Sequence, residues 1–81
     1  MKPLSLIQVP SGIPCTVVEI SAGHEAKRKL LAMGIHVGDS IVKLNLSRWS
    51  PVLIRNVTTR SSKIAIGQGL ARKIMVEHAD L

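Results

Sequence analysis

Phenylalanine and tyrosine are absent from the 81 residues, and Trp49 is the only aromatic side chain. Whatever core forms must therefore be aliphatic, drawn from the valine, isoleucine, leucine and methionine of a chain that is 46% apolar. Cysteine occurs once, at Cys15, which excludes an intramolecular disulfide and the cysteine-rich zinc frameworks and fits a reducing, cytosolic setting. No run approaches the ~18 apolar residues of a membrane span. The N-terminal apolar stretch is also too short for a signal peptide and lacks a small-residue cleavage site, so a soluble protein is expected. Carboxylates are scarce: five, against eleven lysines and arginines, for a net charge of +6. That balance favours an acidic partner, which nucleic acid, an anionic membrane or an acidic protein surface would each satisfy. The length bounds the chain to one domain, residues 1–81, that buries only ~60% of its unfolded surface.

What is present is organised around Lys27 to Asp39. Ala26, Leu30 and Met33 recur at helical spacing, with Leu31 widening the stripe, while Lys27, Arg28 and Lys29 fall mostly on the other side. Gly34 stands where a helix-terminating residue needs positive φ, and Ile35 is placed to fold back on Leu30. Gly38-Asp39 is a second turn signal. Upstream, Ser21 is a candidate N-cap, and His24 and Glu25 occupy the first turn, where the macrodipole favours a carboxylate.

The remainder reads as short strands. Leu4, Leu6, Ile7 and Val9 form an arm that packs ahead of the turn Pro10-Ser11-Gly12. Cys15 to Ile20 is a strand whose alternation breaks at Val17-Val18, the mark of a bulge or of burial on both faces. Ser40 to Leu46 alternates, with Val42, Leu44 and Leu46 on one face and Lys43 and Asn45 on the other. Val52 to Ile54 resumes strand character and continues through Val57-Thr58-Thr59, and Lys63 to Ile66 forms another strand. Leu70-Ala71-Arg72 suits a single helical turn, and Lys73 to Glu77 closes the series with Ile74 and Val76 inward. Five to six short strands with one short helix after the first predict a mainly β fold, a small and strongly bent barrel.

Leu30-Leu31-Ala32-Met33-Gly34-Ile35 with Gly38, Pro51-Val52-Leu53-Ile54, and Ile64-Ala65-Ile66-Gly67 leading to Leu70-Ala71 and Ile74-Met75-Val76 together resemble the FeoA family, ferrous iron transport protein A, over nearly the full length. The resemblance implies an SH3-like barrel and a cytoplasmic accessory role beside FeoB, the GTPase-linked transporter of ferrous iron. The same fold serves as a C-terminal domain in iron-dependent repressors. Relative to the family pattern, Val37 replaces a common proline, and Arg55 to Lys63 is longer than usual.

Catalytic signatures are missing: there is no nucleophile triad motif, no Gly-rich phosphate loop with lysine and no HExxH, so an enzyme is not expected. Cys15 reads as an inert, partly buried thiol without a nearby basic partner. His24, His36 and His78 are imidazoles that suit iron(II) or zinc, and Glu25, Glu77 and Asp80 supply oxygen donors. The candidate set is His24, Glu25, His78 and Asp80, although none has strict zinc-motif spacing; the plainer reading is surface histidines near turns. For a protein partner the candidates are Trp49, Arg48 and the Lys27, Arg28, Lys29 face, Trp49 serving either as an interface anchor or as a lid on the barrel end. Exposed edge strands would also permit a homodimer. The alternative is a basic nucleic-acid-binding or metal-responsive regulatory module, against which stands the lack of aromatic stacking platforms.

Overall fold

A computed structural model describes residues 3–45 and 49–78. The elements run β1 (Leu4–Ser5), β2 (Pro14–Ile20), α1 (His24–Ala32), β3 (Ser40–Lys43), β4 (Val52–Asn56), β5 (Lys63–Ile66), α2 (Gln68–Ala71) and β6 (Ile74–Glu77). All six strands join one sheet in the order β1-β6-β2-β3-β4-β5, every pair antiparallel. Leu6 and Val9 beside one edge and Ile66 at the other belong to a single buried cluster, so the sheet curls around a common core. It stays open, with β1 and β5 as its edges among the described residues. The SH3-like, mainly β architecture expected from the sequence is the one observed.

The helix stop is built as its residues dictate. Gly34 takes φ +85°; its N–H donates to the Leu31 carbonyl at 2.9 Å, and the Ile35 N–H donates to Leu30 at 3.0 Å. These are the two bonds of a Schellman motif, and Leu30 and Ile35, both fully buried, supply its apolar contact. The start differs from expectation: Gly23, not Ser21, is the N-cap, and no side chain caps the helix. Serine is two residues too early because the chain stays extended through Ile20 and Ser21, whose N–H bonds the Lys73 carbonyl.

β2 carries the expected bulge, its pairing with β6 shifting between Val17 and Glu19. β5 has the expected bounds, whereas β4 ends at Asn56 instead of running to Thr59. There the chain leaves the ladder because Asn56 accepts from the Thr59 N–H through Oδ1 (3.2 Å) and starts a turn. β3 holds the largest departure. Alternation alone would turn Val42 and Leu44 to the core, yet Ile41 and Lys43 are buried instead, Lys43 at 6% exposure. The reason is a receptor for the ammonium: Lys43 Nζ donates to the carbonyls of Leu6 (3.2 Å), Ile7 (3.1 Å) and Val9 (3.1 Å). Leu31, expected within the apolar stripe, is 51% exposed.

Candidate functional site

Three regions carry side chains able to act on another molecule. The first is the exit of α1. Asp39 is buried, and its Oδ2 accepts from the His36 N–H (2.9 Å) and from Asn56 Nδ2 (2.8 Å), with His36 Nδ1 at 3.1 Å. Asn56 Nδ2 also donates to the Gly34 carbonyl at 2.9 Å, tying β4 to the helix stop. Burial pushes the Asp39 carboxyl up, but the Asn56 and His36 hydrogen bonds outweigh it and hold the group below the usual aspartate value. This network is structural, since its hydrogen bonds join the helix stop, the following turn and β4.

Beside that exit lies an apolar groove of about 420 Å³ lined by Val18, Glu19, Ile20, Lys27, Leu31 and Val37. Leu31 and Val37 are 51% and 60% exposed. The groove exists because the β2 bulge turns Val18 away from the core and the Schellman stop carries Val37 back over the strand. Lys27 stands at its edge, and Arg28 and Lys29 continue the exposed basic side of the helix. Of the basic-face candidates, Lys27 thus adjoins an apolar surface that composition alone did not reveal.

The third region is the loop between β3 and β4. Trp49 is 96% exposed, so of the two roles considered for it a lid is excluded, because a lid buries its ring. Arg48 lies outside the described residues. The loop is tied down by Asn45 Nδ2 to the Pro51 carbonyl (3.1 Å), the Leu53 N–H to Asn45 Oδ1 (3.0 Å) and Gln68 Nε2 to the Ser50 carbonyl (2.8 Å).

The metal candidates are not brought together. His24 and Glu25 are exposed at the start of α1, just past the Ile20–Ile74 end of the β2–β6 ladder. His78 follows the other end, past Thr16–Glu77, separated by about 13 Å of strand. His78 is buried, and neither ring nitrogen has a partner among the described residues. Glu25 shares a depression of about 310 Å³ with Arg28, Lys29 and Ala32. Asp80 lies outside the described residues. Among the described residues no three histidine, cysteine, aspartate or glutamate side chains converge. Cys15 is buried at 3% exposure; burial raises its thiol pKa and the nearby Lys43 lowers it, the net shift being upward. That lysine is the basic neighbour the sequence did not disclose, and the thiol stays protonated and enclosed beside it.

Sequence reasoning missed Lys43, Asp39 and Asn56 as buried polar residues. A signal for Asn56 was present, since it continues the inward parity of Val52 and Ile54; Lys43 shares the parity of Ile41.

A family model described as the FeoA domain matches residues 4–78. A putative Fe(2+) transport protein A of Methanocaldococcus jannaschii is 41% identical over 80 residues, spanning 99% of this chain and 90% of the relative. The crystal structure of an iron uptake regulatory protein (FeoA) superposes with a TM-score of 0.81 at 33% identity, covering 93% of this chain and 96% of that one. A manganese-dependent transcriptional repressor shares the fold, with a TM-score of 0.80 at 21% identity, but this chain spans only 40% of it. Matched along nearly its whole length by the family model and by the transport relative, the chain belongs to the FeoA family of ferrous iron transport proteins.

Proposed function

We propose that the chain is a cytoplasmic accessory protein of ferrous iron uptake that binds the cytosolic part of a FeoB-type transporter and modulates it without catalysing a reaction. The observation carrying this reading is the groove beside α1: an open apolar floor of Val18, Ile20, Leu31 and Val37 edged by Lys27 and Glu19, on a helix whose exposed side also carries Arg28 and Lys29. Exposed aliphatic surface on so small a domain is where a partner stabilises most, through about 25 cal/mol per Å² of apolar area removed from water. The basic neighbours add steering toward an acidic partner surface. Modulation then follows from differential affinity: the transporter is shifted toward whichever of its conformations the groove binds better. Iron is the cargo of the partner. His24 and Glu25 offer two adjacent exposed donors, fewer than a closed site needs, so an iron contact there takes its remaining ligands from the transporter.

The test is co-purification and titration with the cytosolic domain of a FeoB-type transporter. Leu31→Glu weakens binding by about tenfold or more while costing under about 1 kcal/mol of stability, because the side chain is already half exposed. Equal binding by the wild-type and Leu31→Glu proteins rejects the groove as the docking site. Trp49→Ala runs beside it and reports whether the β3–β4 loop also touches the transporter.

A further inference from the structure

The reversed facing of β3 leaves an apolar row on the outside of the sheet. With Ile41 and Lys43 inward, the ladder places Val42, Arg55 and Lys63 in one outward line, through the pairs Val42–Arg55 and Arg55–Lys63. The adjacent outward line holds Leu44, Leu53 and Ala65: the Leu44 N–H bonds the Leu53 carbonyl at 2.7 Å, and Leu53 pairs with Ala65. Leu44 and Ala65 are exposed, and Val42 and Leu53 are half-buried. Trp49 belongs to the loop joining the two strands that carry this row. One step of slip in β3 would have hidden Val42 and Leu44 and released the lysine to water. The fold instead buries an ammonium and keeps the aliphatic row outside.

The charges on this face have one sign. β3, β4 and β5 contain no carboxylate; the outward carboxylates of the neighbouring strands, Glu19 on β2 and Glu77 on β6, lie two and three strands from β4, about 10 and 14 Å across the sheet. Arg55 and Lys63 are directly opposed, an arrangement that destabilises a ladder. Among the described residues the one ion pair is His36–Asp39, so no described carboxylate neutralises either cation.

We infer that the outward face of β3, β4 and β5 lies on an anionic lipid surface, Trp49 and the Leu44–Leu53 row entering the headgroup boundary and Arg55 and Lys63 meeting lipid phosphates. The composition suits that boundary: indole rings settle there, long cationic side chains lay their stems on apolar surface with the charge in the phosphate layer, and neither demands a spanning segment. No helix among the described residues is long and apolar enough to cross a membrane. The attachment is peripheral, weak for one contact and steeply dependent on salt. It stands on these residues alone and does not require the transporter reading.

Trp49 makes the test direct, because it is the only tryptophan and its emission reports this loop without labelling. The protein is mixed with vesicles of phosphatidylcholine alone or of phosphatidylcholine with phosphatidylglycerol, at low and at physiological salt. The expected result is a blue-shifted Trp49 emission and co-sedimentation with the phosphatidylglycerol vesicles only, both weakening as salt rises. The double substitution Arg55→Gln with Lys63→Gln lowers the partition coefficient by about 25-fold, about fivefold for each cation; Trp49→Ala lowers it without changing the salt slope. Far-UV circular dichroism of each variant establishes folding. Unshifted emission on anionic vesicles at low salt overturns the proposal, as does equal binding to neutral vesicles or an unchanged double variant. Binding of the face to an acidic protein with none to vesicles also overturns it.

Discussion

Lys43 reaches under the Leu6–Val9 turn and gives its three N–H bonds to backbone carbonyls that come from 34 to 37 residues earlier in the chain. His78 is equally enclosed but has no described partner for either ring nitrogen. Burial holds the Lys43 pKa below the ordinary lysine value, so the ammonium is disfavoured by desolvation; the three carbonyls are what the fold sets against that. The two side chains therefore answer substitution with opposite signs. Lys43→Met strands two buried carbonyls and lowers unfolding free energy by roughly 2–3 kcal/mol. His78→Leu removes two unsatisfied donors or acceptors and raises it by about 1 kcal/mol, seen as a melting temperature about 4–8 °C higher. Urea melts of both variants check the pair, and a destabilised His78→Leu protein would show that the ring is satisfied after all.

At the scale of elements, α1 is nine residues long, too short to persist alone in water, and it is held by Leu30, Ile35 and the Schellman exit. Gly34 is where that exit depends on one residue type. A Cβ there would meet no atom within 4 Å, so the cost of Gly34→Ala is conformational rather than steric. At φ +85° the expected loss is about 1–2 kcal/mol, measured as a lower urea midpoint with an unchanged slope. A fall of only a few tenths would mean the loop relaxes and the stop is soft. The helix end, the β2 bulge and the bounds of β5 were legible from residue order, because each is decided by neighbours within one turn. The start of α1 was not, since Gly23 takes the cap only once Ser21 is drawn into pairing with Lys73.

For the whole molecule, of 32 × 25 × 23 Å, the two proposed surfaces are separate. The groove lies between β2 and α1, and the outward apolar row lies on β3, β4 and β5. Leu31→Glu accordingly leaves vesicle partition unchanged, and Arg55→Gln with Lys63→Gln leaves transporter affinity unchanged within about twofold; each is read by the other's assay. Crossed effects in both directions would merge the two into one site. The candidate site was only partly visible beforehand. Lys27, Arg28, Lys29 and Trp49 were identifiable as an exposed basic side and an isolated ring. Leu31 was hidden inside an apolar stripe that looked like core, and Val37 was visible only as the replacement of a proline.

Residue order by itself determined the aliphatic core, the absence of catalytic motifs, the strand succession and the glycine-stopped helix, because these follow from local stereochemistry and from periods of two and 3.6 residues. The tertiary structure alone decided which side of β3 faces inward and that Leu31 remains in water. Those outcomes depend on distant partners: an arm that offers carbonyls to Lys43, and a bulge that opens beside α1. Periodicity shows that two faces differ; only assembly shows which of them meets solvent.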